Sequence, residues 1–469
     1  MGDLDLHGLT IARAARALRA RELSPLELTD AYLRRIERLN PRLNAYITVC
    51  AERARDDARR ATDELAAGKA RGPLHGIPIA LKDLFETAGI RTTAGAKIHA
   101  DHVPARDCSV AARLREAGTI LLGKLNTHEY AYGVTTNNPH FGPTRNPWNP
   151  EHIPGGSSGG SGAAIAAGLA TATTGSDTGG SIRMPASVCG VVGLKPTFGR
   201  VSKTGVLPLS YLFDHAGPIT RSVEDAALLL NAIAGYDPSD ATSVRTPVPD
   251  FTAELGAGLR GLRIGVARDY FFDELDAEVE AAVEQAIAEL RRLGADVRDV
   301  DVPGVEAGLA ALVGIVLAEA QEIHATSLRT RPADFGADVL ALLSSPTPDA
   351  ASLMSGLRAR DALAAAMRTA LESVDVLVTP TTPIVAARIG QESIRFGRVE
   401  QPVLNAMIRC TAPFNATGLP ALSLPCGFTR AGLPVGLQIA GRPFDEVTVL
   451  RAAHAYEQAT GWHERRAPV

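Results

Sequence analysis

Residues 154–183 run from Pro154-Gly-Gly-Ser157-Ser158-Gly-Gly-Ser161-Gly to Gly175-Ser-Asp177-Thr178-Gly179-Gly180-Ser181-Ile-Arg183. Two glycine-flanked serine turns bracket a run of Ala, Ile and Leu. Glycine reaches backbone conformations closed to other residues and lets a ligand come close to the main chain. A serine between such turns can present its hydroxyl while neighbouring N–H groups converge on one point. Acyl transfer needs that pairing of a nucleophile with backbone donors for a developing oxyanion, each donor being worth roughly 3 kcal/mol. Glycine content alone also fits two flexible loops around a small-residue helix. Neighbouring motifs narrow the chemistry. Gly155-Gly-Ser157-Ser-Gly159 matches the G-x-S-x-G elbow letter for letter. That elbow follows a strand directly, however, and Asn146–Pro154 before it is broken by prolines. Gly118–Lys124 lacks the Ser or Thr that closes a P-loop, and His128-Glu129 has no second His four residues after the first. No Ser-x-x-Lys occurs, which argues against the penicillin-binding class.

Elements to hold these turns are legible on both sides. Ser24-Pro25-Leu26-Glu27 is a capping box with proline at the first helical position. Leu28, Tyr32, Ile36 and Leu39 follow on one helical face, and Asn40-Pro41 is expected to end the run. Short apolar strands are predicted at Gly76–Leu81 and Thr119–Gly123. After Leu262 a strand, an amphipathic helix through Val279, Val283, Ile287 and Leu290, and a strand at Ala295–Val302 form a β-α-β unit, hence a parallel sheet covered by helices. Further strands are predicted at Val374–Val378, Ala421–Leu424 and Val435–Ile439, with a closing helix from about Asp445. Pro238–Pro249 is the best candidate seam, but strands on both sides can join one sheet, so residues 1–469 read as one domain with a helical segment over about 1–65.

The 469 residues are 45% apolar and 21% charged, with a net charge of −4. That excludes a disordered chain and leaves no basic excess to hold nucleic acid. Five scattered cysteines without a C-x-x-C pair suit neither a structural zinc site nor a disulfide framework. The start lacks signal-peptide order, and no apolar run reaches the ~20 residues of a membrane span. A cytoplasmic protein is the expectation.

The chain resembles the amidase signature family. The residues carrying the resemblance are Gly76-Ile-Pro-Ile-Ala-Leu-Lys82-Asp83, Asn146-Pro-Trp148, the two serine turns, Gly193-Leu-Lys-Pro196-Thr-Phe-Gly-Arg200, Asp375–Pro383 and Gly432-Leu-Pro-Val-Gly-Leu-Gln438. It covers nearly the whole chain and is densest over about 74–231. The resemblance implies an α/β fold with a large mixed, mostly parallel twisted sheet covered by helices on both faces. It also implies a Ser–cis-Ser–Lys triad. Lys82 is then the general base, Ser157 the bridging serine after a cis peptide bond, and Ser181 the nucleophile. Ser157 and Ser181 stand 24 positions apart, the family's spacing, which favours Ser157 over Ser158 as the bridge. Backbone N–H groups of Thr178, Gly179, Gly180 and Ser181 become the oxyanion hole, with Ser158 and the Asp177–Arg183 ion pair in support. No metal or organic cofactor is implied, and the 11 histidines are expected to be structural or exposed. A free lysine has a pKa near ~10.4 and is neutral in only about one molecule per thousand near pH 7.4. Burial lowers that value. Lys82 is therefore expected to end a buried strand with no carboxylate against its amine, Asp83 pointing elsewhere by strand alternation.

Two branches of that family differ at mid-chain. In the glutaminase component of glutamyl-tRNA amidotransferase, its A chain, a segment resembling A-E-A-S-S-N-L-x-R-Y-D-G holds the glutamine carboxylate, and an acid stands shortly before a Thr-x-Pro. Here the stretches read Ala318-Glu-Ala-Gln-Glu-Ile-His324-Ala-Thr-Ser-Leu328 and Met407-Ile-Arg-Cys410 before Thr411-Ala-Pro413. Both glutamine anchors are missing, so a free-standing amidase of small uncharged amides, arylamides, esters or carbamates (urethanes) is the expected activity. A partner-dependent glutaminase subunit is the alternative. Tyr130, Tyr132, Val134, Thr135, Phe141 and Ile315–Leu317 are candidate pocket liners. Whether the chain forms a homodimer stays open.

Overall fold

Eleven short runs of apolar and small residues pair into a single sheet in the computed structural model, which describes residues 5–396 and 398–469. In chain order the strands are β1 Tyr46–Val49, β2 Pro78–Lys82, β3 Ile120–Leu125, β4 Ala172–Asp177, β5 Val192–Lys195 and β6 His215–Thr220. They continue with β7 Arg263–Ala267, β8 Asp296–Val300, β9 Val376–Pro380, β10 Ala421–Phe428 and β11 Pro434–Gly441. Across the sheet the order is β1-β3-β2-β4-β6-β5-β10-β11-β9-β7-β8. The predicted β-α-β unit is there: β7 and β8 are parallel, Arg263 opposite Asp296, joined by helix Ala277–Arg292. The fold is α/β and the sheet mixed, though parallel over fewer steps than expected. Parallel pairs lie on either side (β3–β2–β4 and β9–β7–β8), antiparallel pairs fill the centre from β4 to β9, and the edge pair β1–β3 is antiparallel as well. For β10–β11 the reason is local: the two are joined by a loop of a few residues, and so short a connection can only fold back antiparallel.

Helices cover both faces. A Cβ placed at Gly436 of β11 would meet Ser187, in helix Arg183–Cys189, whereas one at Gly441 would meet Val449, in helix Glu446–Thr460. An odd spacing along a strand puts these two positions on opposite faces. The seam at Pro238–Pro249 does not divide the sheet, since β6 before it and β7 after it belong to the same sheet.

Near the N-terminus the capping box is complete. Ser24 Oγ accepts from the Glu27 N–H and the Glu27 carboxylate accepts from the Ser24 N–H. The helix Pro25–Leu43 does not stop at Asn40-Pro41, because Pro41 falls in its last turn and Asn44, at φ 52°, caps the end. The segment over 1–65 is also not purely helical: β1 lies within it and forms the sheet edge against β3. Among the described residues no helix is long and apolar enough to cross a membrane.

Candidate active site

Every residue of β2 is buried, including Lys82 at its end. The strand residues around it, Ile77, Ile79, Ala80 and Leu81, all belong to the core. The Nζ hydrogen-bonds the hydroxyls of Ser157 at 2.7 Å and Ser176 at 2.8 Å. Asp83 turns away, accepting from the Thr93 N–H at 2.8 Å and lying 3.4 Å from Lys124 Nζ. Burial, resisted by the more distant charges of Asp214 and Asp177, pushes the Lys82 pKa down to about 7. Lys124, also buried, makes the contrast: its amine sits beside the Asp83 carboxylate and donates to the Phe85 carbonyl and Thr92 hydroxyl. Of the two lysines, Lys82 is the one whose amine stands clear of a carboxylate, as a general base requires.

Ser157 follows a cis Gly156–Ser157 peptide bond. Its carbonyl is tied down by the His128 N–H at 3.0 Å and the Thr127 hydroxyl at 2.9 Å, so the serine's backbone is fixed independently of its side chain. A Cβ at Gly156 would come within 2.7 Å of the Val134–Thr135 backbone, which accounts for glycine before Ser157. Ser158 donates to the Ser176 carbonyl at 3.2 Å, and its N–H to the Ser181 carbonyl at 3.3 Å. The two serine turns are thereby joined. The hydroxyls of Ser157 and Ser181 are not hydrogen-bonded to each other among the described residues.

Ser181 lies on the turn 178–181, between β4 and helix Arg183–Cys189, and three contacts shape that turn. Thr178 Oγ1 donates to Asp214 at 2.5 Å, and Thr411 Oγ1 donates to the Gly179 carbonyl at 2.6 Å. Because the peptide is planar and trans, anchoring the Gly179 carbonyl on Thr411 turns the Gly180 N–H the opposite way. Gly180, at φ +133°, has no room for a side chain, since a Cβ would come within 2.1 Å of Thr411 Oγ1. Beneath the turn, the Asp177 carboxylate accepts from Arg183 at 2.9 and 3.0 Å and from the Ile182 N–H at 3.1 Å. Among the described residues, no N–H of residues 178–181 donates to a turn or loop acceptor. Thr178, Gly179 and Ser181 also line a cavity, the placement that donors to an oxyanion need.

The Asp177–Arg183 pair is fully buried and belongs to a wider network. Arg183 also donates to the Thr411 carbonyl, Gln438 Oε1 and Asn415 Oδ1, and Asn415 Nδ2 returns to Asp177 at 2.8 Å. Burial alone would raise the Asp177 pKa, but the Arg183 charge outweighs it and holds the carboxyl well below the usual range. Breaking such a pair strands one charge in the interior. Arg183→Met is expected to lower unfolding stability by about 3–5 kcal/mol in urea denaturation at neutral pH.

The turn opens on a cavity of about 90 Å³. Its wall holds Thr178, Gly179 and Ser181 together with Tyr132, Val134 and Val316, three of the candidate liners. Tyr130 instead packs on His324 and Phe335, and Ile315 belongs to the core. Thr135, Phe141 and Leu317 are not in the wall either, because a sequence run names a helix or loop but not the face it presents. Leu312, Leu342 and Ile408 complete the wall from three separate helices that no sequence motif ties to the serines. Among the described residues, no Asp, Glu, Lys, Arg or His contributes to this lining. Larger surface pockets lie elsewhere, one of about 520 Å³ around Arg60 and His75, remote from the serine turns. Three polar partners of the site, Ser176, Asp214 and Asn415, lie outside the sequence expectation. Ser176 has a signal in its place within Gly175-Ser-Asp177, while Asp214 and Asn415 carry none of their own.

Comparison with known proteins places the arrangement among relatives. The family model described as Amidase matches residues 27–450. The chain is 46% identical to the A chain of the glutamyl-tRNA(Gln) amidotransferase from Moorella thermoacetica, over 99% of both chains. It is equally 46% identical to an amidase of Pseudomonas putida, over 97% of each. A solved structure described as an inhibitor-bound vestigial protein complex, bearing on the origins of an s-triazine catabolic enzyme, superposes with a TM-score of 0.93. It is 37% identical, over 97% of this chain and 99% of that one.

Proposed function

The chain belongs to the amidase family, and from that premise we propose that it hydrolyses linear C–N bonds through Lys82, Ser157 and Ser181. Neutral Lys82 accepts the Ser157 proton while Ser157 accepts that of Ser181. Ser181 Oγ attacks the carbonyl carbon, and the new oxyanion is received by the N–H groups of residues 178–181. The proton returns through Ser157 to the leaving nitrogen, the C–N bond breaks, and water releases the acyl group by the same relay. The Ser157–Ser181 hydrogen bond belongs to this scheme's substrate complex, where catalytic contacts often tighten. No step calls for a metal or organic cofactor. The observation that carries the reading is the amine of Lys82, buried and bonded to hydroxyls.

The cavity favours uncharged acyl groups. A glutamine substrate brings an α-carboxylate and an α-ammonium, and neither finds a counter-charge in this wall. Small aliphatic amides, anilides, esters and carbamates are the substrates we infer. The second reading, a glutaminase subunit working beside a partner, is favoured by the 46% identity to the amidotransferase chain. We read residues 1–469 as one domain, because one sheet draws strands from 46 to 441.

The test is a panel of anilides, aliphatic amides, carbamates, esters and glutamine, incubated with the purified chain and with Ser181→Ala as control. Turnover of uncharged amides by the single chain, with glutamine untouched, is the expected result. Glutamine hydrolysis appearing only with a partner protein present would overturn it in favour of the second reading.

A further inference from the structure

We propose that Asp214 is a positioning residue of this site, holding the donor turn through Thr178 and presenting a negative charge to Lys82. The inference rests on the reading of Lys82 as base and adds a residue that the triad does not include.

Asp214 stands in the loop just before β6, 8% exposed. One carboxylate oxygen accepts from the Thr178 hydroxyl at 2.5 Å, and the other from the N–H groups of Leu209 at 2.9 Å and Ser210 at 3.1 Å. Leu209 lines the substrate cavity, and Thr178 begins the donor turn. The carboxylate therefore clamps one wall of the cavity to the oxyanion donors. No salt bridge is made with it among the described residues. Burial pushes the Asp214 pKa up, while the charge of Lys203 and the hydrogen bonds from Thr178, Ser210 and Leu209 favour the carboxylate. Fastening Thr178 alone would need only a neutral acceptor.

The charge has a second audience. Another cavity, of about 430 Å³, has in its wall both Ser176, which hydrogen-bonds Lys82, and Asp214. Asp214 is the foremost of the charges acting on Lys82, with Asp177 after it, and both favour the ammonium. The other groups around Asp214 can be named. Lys203 and Asp240 line the same cavity, and the Lys203 charge favours the Asp214 carboxylate. Glu319 hydrogen-bonds the Ser210 hydroxyl. His215, whose Nδ1 lies 2.7 Å from the Phe213 carbonyl, is held neutral by burial. Burial and Asp214 thus act on Lys82 in opposite senses. The first frees the base, and the second keeps it basic enough to take a serine proton.

Asp214→Asn keeps the shape and removes the charge. With a neutral group in place the ammonium of Lys82 loses a favourable partner, so its pKa falls. The acid limb of kcat/KM is expected to move to lower pH by about one unit, with kcat down roughly tenfold and KM within about twofold. Thr178→Val removes the hydrogen bond and keeps the charge: kcat should fall comparably while the acid limb stays in place. Thr178→Ser keeps the hydroxyl and should recover at least part of the kcat lost in Thr178→Val, which provides the readout if Asp214→Asn does not fold. An unmoved acid limb in Asp214→Asn overturns the proposal, and so does a Thr178→Ser variant as impaired as Thr178→Val. These results are separable from failure of the triad itself, which would show as turnover by Ser181→Ala.

Discussion

Ser181→Ala is expected to reduce kcat on the chain's best amide by on the order of 10⁵-fold or more, with the folded state intact. Removal of a nucleophile from a serine hydrolase costs on this scale because the remaining donors and binding contacts supply only a residual rate. The replaced hydroxyl makes no hydrogen bond that the fold relies on, whereas the turn is held by Asp177, Asp214 and Thr411. Thermal unfolding should therefore be close to that of the parent. Mass spectrometry with a slowly deacylated ester or carbamate provides a second check, since the acyl adduct should map to Ser181 and be absent from the variant. An adduct on Ser157 or Ser158 would place the nucleophile in the other turn.

Lys82→Ala is expected to lower kcat by about 10⁴-fold, the upper range for a positioned general base. The pH dependence gives the same residue a second signature. Burial brings the Lys82 pKa down to about 7, and the deprotonated form is the active one. Activity should thus be low below pH 6, rise through about 7 and level off above it, the limb belonging to the free enzyme when followed in kcat/KM. In Lys82→Ala the residual rate should lose that limb. A parental profile that is flat from pH 5 to 9 would mean that the amine does not change charge during activation. Both variants alter groups buried in the site, so circular dichroism and urea unfolding belong with the kinetics.

Legibility differs between the ladder of the sheet and the lining of the cavity. The capping box at Ser24, the parallel β7–β8 unit and the two strands near the C-terminus are readable because each is a local pattern of period or turn chemistry. The β10–β11 pair falls on two strands predicted from the sequence, but that its pairing is antiparallel follows from a loop too short for a crossover. Pro41 shows the limit of a local rule. A proline in the final turn removes one N–H and need not stop the helix when Asn44 can close it in the left-handed region. The cavity is only partly legible. Val316 is among the expected liners and Leu312 is not, although both sit on helix Val305–Ile323, because hydrophobic residues on a helix are equally suited to core and to cavity until the neighbouring elements are in place.

The sequence by itself determined the identity and order of the chemical groups: a lysine at the end of an apolar strand, a double serine, and a glycine-rich turn closed by a third serine and an arginine. Those are properties of short segments, each set by residue type and by what glycine or a buried strand permits. Only the tertiary structure decided that the amine meets two hydroxyls while Asp83 is kept on Lys124, that Asp214 joins the donor turn through Thr178, and that three distant helices complete a cavity with no ionic group in its wall among the described residues. Charge effects inside a protein depend on distance and on exclusion of water, and both arise only after residues far apart in the chain have packed together.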